Sequence, residues 1–127
     1  MSNARFATAI NCMDGRTQLP VAEWMKREHG VAYVDTITEP GPVRILATVT
    51  DAAAIESIKR RLNISVTKHG STRVAIVAHA DCAGNPTDKE TQLRQLRSAA
   101  TTVLSWGLGV QLDLLWLGDD WQVERIS

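Results

Sequence analysis

The sequence predicts an α/β fold: a mostly parallel four-stranded sheet in the order 2-1-3-4, with an antiparallel edge strand and helices on both faces. Three observations predict it. Short apolar, β-rich runs alternate along the chain with amphipathic stretches of helical period. Glycines and prolines fall at the joints between them. A long link separates the second β-rich run from the third, so the third strand can lie on the far side of the first. At 127 residues, 44% apolar and 22% charged, the chain is long enough for one core, and a single domain over residues 1–127 is expected.

Arg5 to Asn11 (RFATAIN) is apolar, ends at Cys12 and reads as a buried first strand. Gly15 opens a loop, and Pro20 suits the first turn of a helix carrying Val21, Trp24, Met25 and Glu28 and stopped by Gly30. Val31 to Ile37 is the second strand, and Glu39-Pro40-Gly41-Pro42 reads as a loop. Thr50 or Asp51 caps a second helix with Ile55, Ile58, Leu62 and Val66 on one stripe, ended by Gly70. Arg73 to Ala78 is the clearest buried strand and stops at His79. Asp88 caps a third helix whose stripe is Leu93, Leu96, Ala100, Val103 and Leu104, ended by Gly107 and Gly109. Val110 to Trp116 alternates apolar with polar residues as a strand, and Gly118-Asp119-Asp120 turns the chain into a last strand, Trp121 to Ile126.

Composition excludes several roles. Lys+Arg and Asp+Glu both number 14, so no bulk positive charge favours nucleic acid or an anionic membrane surface. No apolar run reaches membrane-spanning length, because Asp113 and Asp119 interrupt the leucine-rich tail. Met1 to Phe6 carries no apolar stretch behind a basic region, so no leader is expected, and two cysteines far apart do not make a disulfide framework. A reducing cytoplasm is the expected location.

In a sheet of this order the ligand crevice opens at the carboxyl ends of the strands on either side of the switch point. Cys12 terminates the first strand there; His79 and Cys82 terminate and follow the third. Two thiolates and an imidazole are a donor set that zinc accepts tetrahedrally, with one position left open in catalytic sites. The plainer alternative makes both cysteines small core residues and His79 a hydrogen-bonded loop histidine. The switch-point placement favours metal, and cobalt or iron suits the same donors. Asp14 and Arg16, on alternate residues beyond Cys12, can face the same point: Asp14 toward the open position, Arg16 holding its carboxylate. Taken alone, they read equally well as a surface ion pair. Gln18 reads as a solvated glutamine or a substrate hydrogen-bond donor. His29 and His69 read as partners of negative helix ends, or as proton shuttles should they lie near the site. Trp106, Trp116 and Trp121 are assigned to core or interface, and Lys89, Glu90, Arg94 and Arg97 to a solvated face.

Cys12-x-Asp14-x-Arg16 after a first strand, then His79-x-x-Cys82 after a later one, resembles the β-class carbonic anhydrases, whose signatures C-x-D-x-R and H-x-x-C come in that order. Asp81 also matches the family's H-S-D-C form. The resemblance implies one zinc ion per chain on Cys12, His79 and Cys82. Asp14 would be either a fourth ligand in a closed state or, paired to Arg16, the residue that leaves the position to water. It implies reversible hydration of carbon dioxide to bicarbonate by zinc-bound hydroxide, catalytic roles for Asp14 and Arg16, and a homodimer or higher homo-oligomer. Thr38 to Pro42 reads T-E-P-G-P where the family carries R-N-A-G-N, and Ala83-Gly84 follows Cys82 where the family has Gly directly. That changed loop is expected at the pocket mouth. It motivates two alternatives: a zinc hydrolase of carbonyl sulfide or carbon disulfide, and a non-catalytic zinc-binding module.

Overall fold

The computed structural model describes residues 5–127; Met1 to Ala4, which enter the reading of the leader, lie outside the described residues. Its elements are β1 (Phe6–Cys12), α1 (Gly15–His29), β2 (Tyr33–Glu39), α2 (Pro42–Thr48), α3 (Ala52–His69), β3 (Arg73–His79), α4 (Lys89–Leu104), β4 (Gln111–Leu117) and β5 (Val123–Arg125). The sheet runs β2-β1-β3-β4-β5, with β1 to β4 parallel and β5 antiparallel to β4. The predicted order and edge strand are both present. Among the described residues no helix is long and apolar enough to cross a membrane.

The two faces of the sheet differ in side-chain size, and this sets which helices cover them. One presents Ile10, Ile37, Val74, Ile76, Leu114 and Trp116 to α2, α3 and α4. The other presents Ala7, Ala9, Ala75 and Val77, small enough for Val21 and Met25 of α1 to approach closely. Burial at about 25 cal/mol per Å2 of apolar surface is the main force holding both layers.

The helix ends follow their caps. Asp51 and Asp88 accept backbone N–H groups of Ala54 and Thr91 at 3.0 and 2.8 Å. Gly70 takes the left-handed conformation (φ 70°) that closes α3.

Five expectations are corrected. Gly15 is not loop but the first residue of α1, because Asp14 is the cap: its Oδ1 accepts the Arg16 N–H at 2.9 Å. Pro20 therefore sits inside α1, where its missing N–H forfeits the bond to the Arg16 carbonyl. The Glu39–Pro42 segment is only partly loop. Glu39 ends β2, and Pro42 opens the seven-residue α2, a first-turn position whose N–H needs no partner. On α4 the buried stripe includes Ala99, whereas Leu104 is exposed.

Finally, β4 is covered on both faces. Asp113, read as the polar side of an alternating strand, is fully buried and accepts bonds from Arg73 at 2.9 Å and Arg125 at 2.6 Å. Three partners from other parts of the chain hydrogen-bond to it, the third being His29 Nε2 at 2.6 Å.

Candidate metal centre

β1 and β2 stay paired to the end, Cys12 against Glu39, but β1 and β3 pair only from Thr8–Val74 to Ile10–Ile76. Beyond that the two strands part, and Cys12 and His79 emerge into the gap as the last residues of their strands. Cys82 reaches the same point from the turn after β3, where Asp81 adopts a left-handed φ of 55°. The donor atoms of Cys12, His79 and Cys82 all lie within 4.8 Å of one another, and all three residues are buried. The two sulfurs are 3.8 Å apart. Two sulfurs bound at about 2.3 Å to one tetrahedral ion stand about 3.8 Å apart, so the pair is already spaced for a shared metal.

His79 gives the decisive observation. Its Nδ1 donates to the Ala80 carbonyl at 2.7 Å, which leaves Nε2 as the free ring nitrogen. That Nε2 is buried and has no hydrogen-bond partner among the described residues, in a side chain 1% exposed. A polar atom so enclosed beside two sulfurs, with nothing to satisfy it, fits a metal ion. A buried histidine ordinarily has a partner for each ring nitrogen, so the orphaned Nε2 favours the metal reading over the plainer one.

The three donors bear on one another's charge. Burial pushes the Cys12 thiol up, but the facing His79 imidazole and the N–H groups of Gly41 and Asp14 outweigh it and hold the thiol at about 7. Burial lowers His79, and the neighbouring Cys12 and the Ala80 carbonyl reverse this, so the imidazole is raised. Cys82 is raised by burial and then by the Cys12 charge beside it. A cation held between the two sulfurs would offset the charge of a second thiolate there.

Neighbouring residues fix two of the donors. The Cys12 N–H donates to Asn11 Oδ1 at 2.8 Å, and Gln18 Nε2 donates to the Cys12 carbonyl at 2.6 Å. Gln18 is thus tied to the end of β1. Gln92, 1% exposed on α4, donates to the His79 carbonyl at 2.9 Å. The loop unlike the family's lies directly over this centre. A Cβ on Gly84 would be 2.5 Å from the Pro40 carbonyl carbon, so the T-E-P-G-P segment meets the turn after Cys82 backbone to backbone. Between Pro42 and Val43 and the donors no water-sized void remains.

On the solvent side, Arg16 grips Asp14 with Nε on Oδ1 at 3.1 Å and Nη2 on Oδ2 at 2.7 Å. The guanidinium is also bonded to Asp81, Nη1 to Oδ2 at 3.3 Å and Nη2 to the carbonyl at 3.2 Å. Hydrogen bonding from Arg16 holds the Asp14 carboxyl at about 2.

Other candidates fall elsewhere. His29 is engaged by Asp113, while His69 bonds to Asp35 and stacks on Phe6 at 4.1 Å, so both lie at the amino end of β1, away from Cys12. Neither is a proton shuttle for this site. Trp24 stands edge-on to His29 at 5.8 Å. Trp116 is core, as expected. Lys89 is not purely solvated: its Nζ lies 5.4 Å from the centre of the Trp116 ring. Sequence reasoning missed Gln92, whose only signal is a polar residue on the buried stripe of α4, and the role of Trp121, described below.

The structure is similar to a carbonic anhydrase from Streptococcus mutans, with TM-score 0.65 and 18% identity over 95% of this chain and 81% of that one. It is similar to a β-carbonic anhydrase isoform from Trichomonas vaginalis, with TM-score 0.60 and 15% identity over 99% and 85% of the two chains. A carbonic anhydrase from Glaciozyma antarctica gives 0.54 and 14% over 95% and 81%. These likenesses establish the fold. No curated protein sequence matches the chain. A family model described as "Putative carbonic anhydrase" matches residues 2–127, and so, with the β-carbonic anhydrase fold and a Cys12–His79–Cys82 group at its switch point, the chain belongs to the carbonic anhydrase family.

Proposed function

We propose that this single domain holds one zinc ion on Cys12, His79 and Cys82 and catalyses the reversible hydration of carbon dioxide to bicarbonate and a proton. The observation that carries the reading is the unpartnered Nε2 of His79 beside two sulfurs at tetrahedral spacing. Zinc bound there supplies a nucleophile from water at neutral pH.

The chain's own residues do the rest. Cys12 and Cys82 provide the negative charge that retains a dication. The Ala80 carbonyl holds the His79 ring so that Nε2, not N–H, faces the sulfurs. Asp14, at about 2, stays ionised throughout the neutral range and is too weak a base to store a proton there. Its task is to accept an O–H at whichever lone pair Arg16 leaves free, which orients that oxygen. Arg16 keeps the carboxylate turned and occupied. Pro42 and Val43 pack against the donors on one side, and this reading brings a small linear substrate in past Asp14 and Arg16. Assembly into a homo-oligomer belongs to the same reading, as the resemblance to the family implies.

The test is metal analysis of the purified protein followed by stopped-flow carbon dioxide hydration, with Asp14→Asn alongside. The account predicts one zinc per chain in both proteins and loss of most turnover in the variant. Unchanged turnover would reduce Asp14 to a helix cap. Because the Thr38–Pro42 loop packs on the donor turn, carbonyl sulfide is assayed in parallel. Sulfide release without carbon dioxide hydration would transfer the same site to that substrate, and zinc with neither activity would leave a non-catalytic module.

A further inference from the structure

Three non-glycine residues among those described have positive φ, and two of them, Asp81 at 55° and Trp121 at 57°, both touch the guanidinium of Arg16. A bulky residue in the left-handed region is strained by about 1–3 kcal/mol and persists where its surroundings dictate it. The Trp121 ring lies 4.3 Å from the Arg16 guanidinium carbon and 5.8 Å from the His79 ring, while the backbone N–H of Trp121 closes the turn by donating to the Gly118 carbonyl at 3.0 Å. Asp14 and Asp81 hold the edge of the guanidinium; Trp121 covers its face.

We infer that Trp121 is a positioning residue: with Asp81 it clamps Arg16 in the one orientation that grips both oxygens of Asp14. An arginine 46% exposed would otherwise sample several rotamers. The indole face supplies what the carboxylates lack, a cation–π contact that fixes the plane of the guanidinium. The left-handed backbone at Trp121 turns the ring back from β5 onto the start of α1. The inference rests on the proposed function only for what the clamped pair is used for; the clamp stands on the contacts.

The experiment is 15N NMR of the arginine Nε–H region of the full zinc-loaded chain, with the Arg16 signal assigned by its loss in Arg16→Lys. The wild-type signal is expected to be shifted upfield by the indole and slow to exchange with solvent. Trp121→Gly suits the backbone at φ 57° and should keep a cooperative melt, yet lose the shift and speed exchange by about five- to tenfold. Trp121→Phe should recover part of both. An Arg16 signal unchanged in Trp121→Gly, or a Phe variant no different from the Gly variant, overturns the clamp. In the hydration assay Trp121→Gly should lower kcat about tenfold with KM within about twofold, and an unchanged kcat overturns the positioning role. A wild type that binds zinc without hydrating carbon dioxide defeats the proposed function instead, and the NMR result still decides the clamp.

Discussion

Gly84→Ala probes the metal centre through the backbone alone. The added Cβ would lie 2.5 Å from the Pro40 carbonyl carbon, 2.7 Å from its oxygen and 2.8 Å from the Gly41 nitrogen. All three are backbone atoms tethered between β2 and α2, so no side chain can swing aside. Reaching ordinary contact at about 3.5 Å requires the loop to retreat by about 1 Å. Overpacking of this kind costs about 1–3 kcal/mol. The same retreat carries the Gly41 N–H away from Cys12, whose thiolate it stabilises. Loss of such support lowers metal affinity by about 10- to 100-fold, and a value near tenfold is expected because the Asp14 N–H and His79 stay. Gly15→Ala is the control: nothing lies within 4 Å of its Cβ, and the residue opens a helix, so stability should hold or rise by up to roughly 1 kcal/mol. Urea denaturation gives the stability, and competition with a chromophoric chelator gives the zinc affinity. A Gly84→Ala protein with wild-type stability and wild-type zinc affinity would refute the argument that this close approach shapes the centre.

Cys82→Ser should reduce zinc affinity by more than about 100-fold, read by metal content after gel filtration, since one thiolate cannot retain the ion in this set. Asp113→Ala leaves Arg73, Arg125 and His29 around an emptied buried position; it should cost roughly 3 kcal/mol, measured by urea melts. Gln92→Leu keeps the volume but leaves the His79 carbonyl without its donor, at a cost of about 1–3 kcal/mol by the same melts. Asp88 is lowered by its hydrogen bonds to Thr91, so its contribution is fully present above its unfolded value and is lost as pH falls through its folded one. The gap in melting temperature between wild type and Asp88→Ala should therefore be wide at pH 6 and shrink below pH 3.8.

What could be read from the sequence was what local pattern encodes. Strand order followed from one long link, and the donors stood out because Cys12 and His79 fall at the ends of two apolar runs. Asp14 and Arg16 were visible as a pair, but their helical geometry was not. Gly15 reads as loop and Pro20 as a first helical turn, which together start the helix too late; the Asp14 cap and the burial of Val21 and Met25 against a floor of alanines start it at Gly15. The short α2 was hidden because its start signal, Pro42, sits in a segment that propensity reads as turn. Asp113 misled because its three partners come from β3, β5 and the end of α1, and pairing across such distances leaves no mark on a local pattern. Trp121 likewise reads as core until the turn that aims it at Arg16 is seen.

X-ray absorption at the zinc edge tests the central claim most directly, because it counts the donors without reference to turnover. The account predicts zinc in the isolated chain with two sulfurs at about 2.3 Å and the remaining neighbours nitrogen or oxygen at about 2.0 Å. A spectrum with fewer than two sulfurs, or reduced protein that retains no zinc, would contradict it.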